Sequence, residues 1–150
     1  MPNILTDEQV AQYRRENFLA PFEALTTQEA RHYRDCLEAY EREQGGAPLE
    51  PWQYRKVHVR ESWAADLVRI PCVLDAVEDL IGPDILLYHI TLWTKEVSAP
   101  AYVLWHQDGA YFFLDPAEQV TAWVALSDSP VESGCMHVLP DTHQSEWLEH

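Results

Sequence analysis

His106, Gln107 and Asp108 follow Trp105 as an H-x-D triplet in a stretch that reads as extended chain. Successive side chains of an extended backbone alternate faces, so His106 and Asp108 should point the same way and Gln107 the other. One imidazole and one carboxylate on a common face are two members of the facial triad that holds non-haem Fe(II) and leaves positions open for oxygen and a co-substrate. The third donor must come from elsewhere. A bare triplet has low specificity, and its alternative reading is a strand-end histidine hydrogen-bonded to a surface aspartate.

Two kinds of local pattern surround the triplet. Thr6 with Gln9, and Thr26 with Glu29, are capping-box signatures. The first predicts a short helix to about Asn17. The second predicts a longer one in which Ala30, Tyr33, Leu37 and Tyr40 recur at helical spacing before the Gly45-Gly46 stop. The prolines around 49–53 predict a loop. Residues 62–69 predict a further helix, and Pro71 opens another in which Val73, Leu74, Val77, Leu80 and Ile81 face a core before Gly82. After Pro83 the period changes to two. Leu87, His89, Thr91, Trp93 and Lys95 share one face, and Leu86, Tyr88, Ile90 and Leu92 the other. Further strands are expected at 101–107, 120–127 and 136–139, separated by Asp115-Pro116 and by the turn-rich stretch 128–134. Helices followed by strands predict an α+β arrangement, with the helices packed on a sheet or curled barrel.

Composition bounds the function. The 150 residues are 47% apolar, enough for one core, so a single domain spanning 1–150 is expected. A net charge of −15 disfavours a nucleic-acid backbone or an anionic membrane surface as partner and suits a cationic or zwitterionic small molecule. Cys36, Cys72 and Cys135 are odd in number and widely spaced, against both a disulfide framework and a cysteine zinc site, which predicts a reducing, cytoplasmic setting. The apolar run 85–93 is far too short to span a bilayer, and no signal peptide is legible.

The ordered series of Lys95, Trp105-His106-Gln107-Asp108, Leu114-Asp115-Pro116, Thr121-Ala122-Trp123-Val124-Ala125-Leu126, Ser133-Gly134-Cys135 and Leu139-Pro140-Asp141-Thr142-His143 resembles the phytanoyl-CoA dioxygenase family of Fe(II)/2-oxoglutarate oxygenases. Leu5-Thr6-Asp7-Glu8-Gln9 is similar to that family's amino end. The resemblance implies a double-stranded β-helix, or jelly-roll, core, with the helical part at about 1–82 and the start of the jelly roll at about 83–150. It implies Fe(II), 2-oxoglutarate as co-substrate, molecular oxygen, a small-molecule substrate and ascorbate as accessory reductant. It makes His106 and Asp108 metal ligands. Lys95 is then expected to face a carboxylate of co-substrate or substrate, against the alternative of a solvated lysine. Thr121 and Trp123 are expected near the 2-oxoglutarate pocket, with core packing the alternative for Trp123. Tyr111 and Phe113 are candidates for a substrate wall. His143 stands where the family has the histidine of P-G-S-H, which approaches substrate or caps a turn, although Asp141 here replaces the glycine.

The implied reaction is hydroxylation of an aliphatic C–H in a small metabolite. Halogenating relatives carry a small residue where Asp108 stands, so its carboxylate favours hydroxylation. The family's distal metal histidine and basic 2-oxoglutarate anchor lie beyond the P-G-S-H element, so the sequence resembles an amino-terminal part of such an oxygenase. About four strands of roughly eight are expected, with an exposed sheet edge open to self-association. Two other readings stay open: an inactive fragment serving as a binding or assembly module, and a cupin-type metal protein in which His137 or His143 joins His106 and Asp108.

Overall fold

A computed structural model describes residues 3–97, 102–112, 114–116 and 118–144. The predicted helices are present. Helix α1 spans Asp7–Glu16 and α2 spans Thr27–Glu43, and each opens on a complete capping box. In α1, the Thr6 hydroxyl accepts from Gln9 N at 3.1 Å while the Gln9 side chain accepts from Thr6 N at 2.8 Å, so two otherwise orphaned donors are satisfied. Asn17 ends α1 in the left-handed region at φ 61°, a conformation asparagine tolerates better than most residues. Helix α3 covers Ser62–Leu67, and α4 covers Pro71–Ile81 with Pro71 in its first turn. Asp79 of α4 accepts from the backbone N–H groups of Asn3, Ile4 and Leu5, the last two at 2.9 and 2.8 Å, which ties the amino end to α4.

The core sits where α2 and α3 meet the 49–57 loop. Leu37, Tyr40, Leu49, Tyr54, Val57, Ala64 and Leu92 form it, with Trp63 and Ile90 packed against it. A polar keystone runs beneath: the Tyr54 hydroxyl donates to buried Glu41 at 2.7 Å and accepts from Leu49 N at 3.2 Å. Satisfied in this way, a buried carboxylate rigidifies the loop instead of loosening it. The loop grips the second half of the chain. Lys56 N donates to Ile90 O at 2.9 Å, Leu92 N donates to Tyr54 O at 3.0 Å, and Arg55 and Thr91 form an isolated antiparallel bridge.

That bridge is the whole of the β-structure among the described residues, and this corrects the expected fold class. The double-stranded β-helix core is absent from them. The stretches around 86–95, 102–107, 120–127 and 136–139 carry the period-two pattern but build no ladder. Alternating side chains specify which face each residue takes. A strand exists only once a neighbouring backbone pairs with it. The α4 expectation also needs adjustment: Val73, Leu74, Val77 and Leu80 are only half-buried and Ile81 is exposed. One further helical turn, α5, covers Gly109–Phe112 immediately after the H-x-D triplet.

Candidate metal centre

The side chains of His106 and Asp108 converge, with Nε2 and Oδ1 3.2 Å apart. Asp108 begins the α5 turn, where its carbonyl accepts from Tyr111 N at 3.0 Å and Gln107 O accepts from Ala110 N at 3.0 Å. The turn is docked by aromatic edges: Phe112 meets Tyr88 at 5.0 Å and His89 at 5.6 Å between ring centroids. Tyr88 and His89 directly precede the 90–92 segment held by the 54–56 loop. The chain of support therefore runs from the helical core to Asp108.

The proton on His106 is assigned by its neighbour. Nδ1 lies 2.7 Å from the Leu104 carbonyl, and a carbonyl can only accept, so Nδ1 carries hydrogen. In neutral imidazole this leaves Nε2 as an acceptor, aimed at a carboxylate oxygen that is also an acceptor. Such a contact is repulsive unless a proton or a metal cation lies between the two atoms. Asp108 is oriented in the same sense, because Thr121 Oγ1 donates to its Oδ2 at 2.8 Å and leaves Oδ1 facing Nε2. A second-atom hydrogen bond on each donor is what metal-ligating His and Asp ordinarily show. Two donors held at roughly 2.1 Å on adjacent corners of an octahedron stand about 3 Å apart, which the observed spacing fits. The side chains are 34% and 41% exposed, so the pair adds little to stability as an ion pair.

Other candidate residues take definite places. Thr121, expected near the 2-oxoglutarate pocket, bonds Asp108. Lys95 Nζ donates to Gly134 O at 2.5 Å, so the lysine and the Ser-Gly-Cys turn are joined. Gly134 has φ 74°, and a Cβ there would press on that ammonium. Tyr111 sets its ring edge on His106 at 5.9 Å between centroids. Trp123 is exposed. His143 Nε2 donates to the Arg14 carbonyl of α1 at 3.3 Å, and His137 Nε2 lies 4.0 Å from Cys135 Sγ. Phe113 lies outside the described residues. Among those residues no cluster of three His, Cys, Asp or Glu side chains forms a metal-binding group.

His89 was legible only as a strand-face residue, yet the field of Asp108 reaches it. Its proton affinity is lowered, chiefly by desolvation and then by Lys56 and Arg55, with Asp108 opposing. Its neighbour His58 is lowered by burial, Arg69, His89 and Lys56, and its Nδ1 is buried with no hydrogen-bond partner among the described residues.

Comparison with known proteins decides the family. The phytanoyl-CoA dioxygenase (PhyH) family model matches residues 1–149. The chain belongs to this family. Its members are Fe(II)/2-oxoglutarate-dependent oxygenases. Human peroxisomal phytanoyl-CoA dioxygenase is 32% identical over 85 residues, covering 54% of this chain and 25% of that protein. The L-proline trans-4-hydroxylase of Streptomyces griseoviridis is 25% identical over 149 residues, covering 91% of this chain and 55% of that enzyme. The Arabidopsis thaliana phytanoyl-CoA dioxygenase is 35% identical over 51 residues, 34% of this chain and 18% of its own length. The chain thus spans at most about half the length of these curated relatives. No solved structure matches it. No helix among the described residues is long and apolar enough to cross a membrane.

Proposed function

We propose that His106 and Asp108 hold Fe(II) and that this member of the PhyH family hydroxylates an aliphatic C–H of a small metabolite, using 2-oxoglutarate and oxygen. The single observation that carries the reading is the 3.2 Å convergence of Nε2 and Oδ1, with Nδ1 of His106 turned to the Leu104 carbonyl and Oδ2 of Asp108 to Thr121. When bound, Fe(II) couples oxidative decarboxylation of 2-oxoglutarate to hydroxylation of the substrate. The chain's own residues supply the frame: Leu104 O fixes the imidazole, Thr121 fixes the carboxylate, and the Tyr111 ring walls one side. Lys95 is the one Lys or Arg between 83 and 144, which suits it to a carboxylate of the co-substrate once its bond to Gly134 is exchanged. Tyr111 and His143 remain the substrate-side candidates, and Trp123 a co-substrate-side one. Asp108 occupies a ligand position, which favours hydroxylation over halogenation.

Anaerobic equilibrium dialysis with Fe(II) tests the ligand assignment. Asp108→Ala and His106→Ala are each expected to weaken binding at least about tenfold relative to the wild-type chain. Equal retention of iron by all three would contradict it. A second reading, a binding module without turnover, is favoured by the lack of a third clustered donor among the described residues. Succinate formation from 2-oxoglutarate, measured with a third metal donor supplied, separates the two.

A further inference from the structure

Asp108 stands at the head of α5, a single turn of four residues, Gly109–Phe112. Two backbone bonds close that turn onto the H-x-D triplet, Ala110 N to Gln107 O and Tyr111 N to Asp108 O, each 3.0 Å. A helical turn this short does not hold itself in water, because fixing its backbone costs more than so few hydrogen bonds offset. A tertiary contact must therefore close it. Phe112, the last residue of the turn, makes one. Its ring lies 5.0 Å from that of Tyr88 and 5.6 Å from that of His89 between centroids, both at 63°, and Tyr88 meets His89 at 5.1 Å and 60°. All three are edge contacts, the arrangement that ring quadrupoles favour. The far side of this cluster is anchored: Ile90 O accepts from Lys56 N at 2.9 Å, and Leu92, a member of the helical core, donates its N–H to Tyr54 O at 3.0 Å. Asp108 is close enough to the cluster for its charge to act on His89.

We propose that Phe112 is a positioning residue for the metal pair: its ring, set against Tyr88 and His89, holds the α5 turn closed and so keeps the Asp108 carboxylate beside His106. The proposal rests on the reading of His106 and Asp108 as metal ligands. Thr121 and Phe112 then divide the task. Thr121 fixes the rotation of the carboxylate through its Oδ2, and Phe112 fixes where the backbone carries that carboxylate. Each edge contact shifts an equilibrium roughly two- to tenfold, so the pair of contacts is large enough to be read in metal affinity.

Co(II) titration of the whole 150-residue chain, followed by broadening of the 104–106 amide NMR signals, tests this. Phe112→Ala should need about tenfold more Co(II) than wild type, and Phe112→Tyr, which keeps the ring, should restore the affinity. Without metal, amide exchange at Ala110 and Tyr111 should be faster in Phe112→Ala, with exchange in α2 unchanged. In an Asp108→Ala background the same substitution should raise the Co(II) requirement no further, because no carboxylate is left to place. Wild-type affinity in Phe112→Ala beside a weakened Asp108→Ala would overturn the proposal alone. So would an additive loss in the double variant, or faster exchange in α2 as well. Wild-type affinity in Asp108→Ala would overturn the ligand reading and the proposal with it.

Discussion

Nδ1 of His106 donates to the Leu104 carbonyl, which fixes the ring and turns Nε2 toward Asp108. Thr121 does the corresponding work on Asp108. Thr121→Val removes the hydroxyl at nearly constant volume and frees the carboxylate to rotate, so metal affinity should fall roughly tenfold, as for other partners of ligating groups. Thr121→Ser should restore it. Anaerobic Fe(II) dialysis of the three proteins reads this directly, and a valine variant indistinguishable from wild type would show that the hydrogen bond does not orient the ligand. The sequence placed Thr121 near the site, but through a co-substrate contact. Its bond to Asp108 was hidden, because a hydroxyl thirteen residues away has no spacing signature. The His106–Asp108 pair was legible as a pair of residue types two positions apart.

Helices α1 and α2 were readable because their determinants are local. A capping box lies within four residues, and Thr26→Ala should cost about 1 kcal/mol in urea unfolding, with no change in metal affinity. Equal stability of that variant would mean the end of α2 is held by other contacts. Strands were not readable in the same way, since Leu86 to Lys95 and Tyr102 to Gln107 show alternation whose pairing depends on distant backbone. The loop from Leu49 to Val57 is the element that joins the two halves, and its histidine neighbours make it acid-sensitive. His58 and His89 both have proton affinities below the ordinary histidine value, so on acidification the unfolded chain takes up protons that the folded chain resists. Stability should therefore be full above about pH 6.5 and fall as pH drops below it. His89→Gln should flatten that slope in urea midpoints between about pH 7.5 and 5.5. An unchanged slope would remove His89 from the account. The depressed carboxyls of Glu16, Glu29 and Asp79 act in a lower window, stabilising above the ordinary carboxylate range and losing effect as pH falls through it.

At the scale of the molecule, a helical core positions one edge of an open apolar half, and the candidate ligands lie on that open side. His106 and Asp108 are the two assigned protein donors, and two donors hold a divalent ion weakly. The chain by itself, with Fe(II), ascorbate, oxygen and 2-oxoglutarate, should therefore form no succinate above a His106→Ala control. Succinate above it would show that a further donor completes the site. Weak binding also sets the choice of the most direct measurement, because 25 acidic residues offer competing places for any cation. Amide NMR spectra of the chain titrated with paramagnetic Co(II) report where the ion sits even at low occupancy. Broadening should begin at 104–111, Thr121 and His89, and disappear from them in both His106→Ala and Asp108→Ala. Broadening that begins instead on the acidic faces of α1 and α2, or that persists around 104–111 in both variants, would contradict the assignment of His106 and Asp108 as the metal-holding pair.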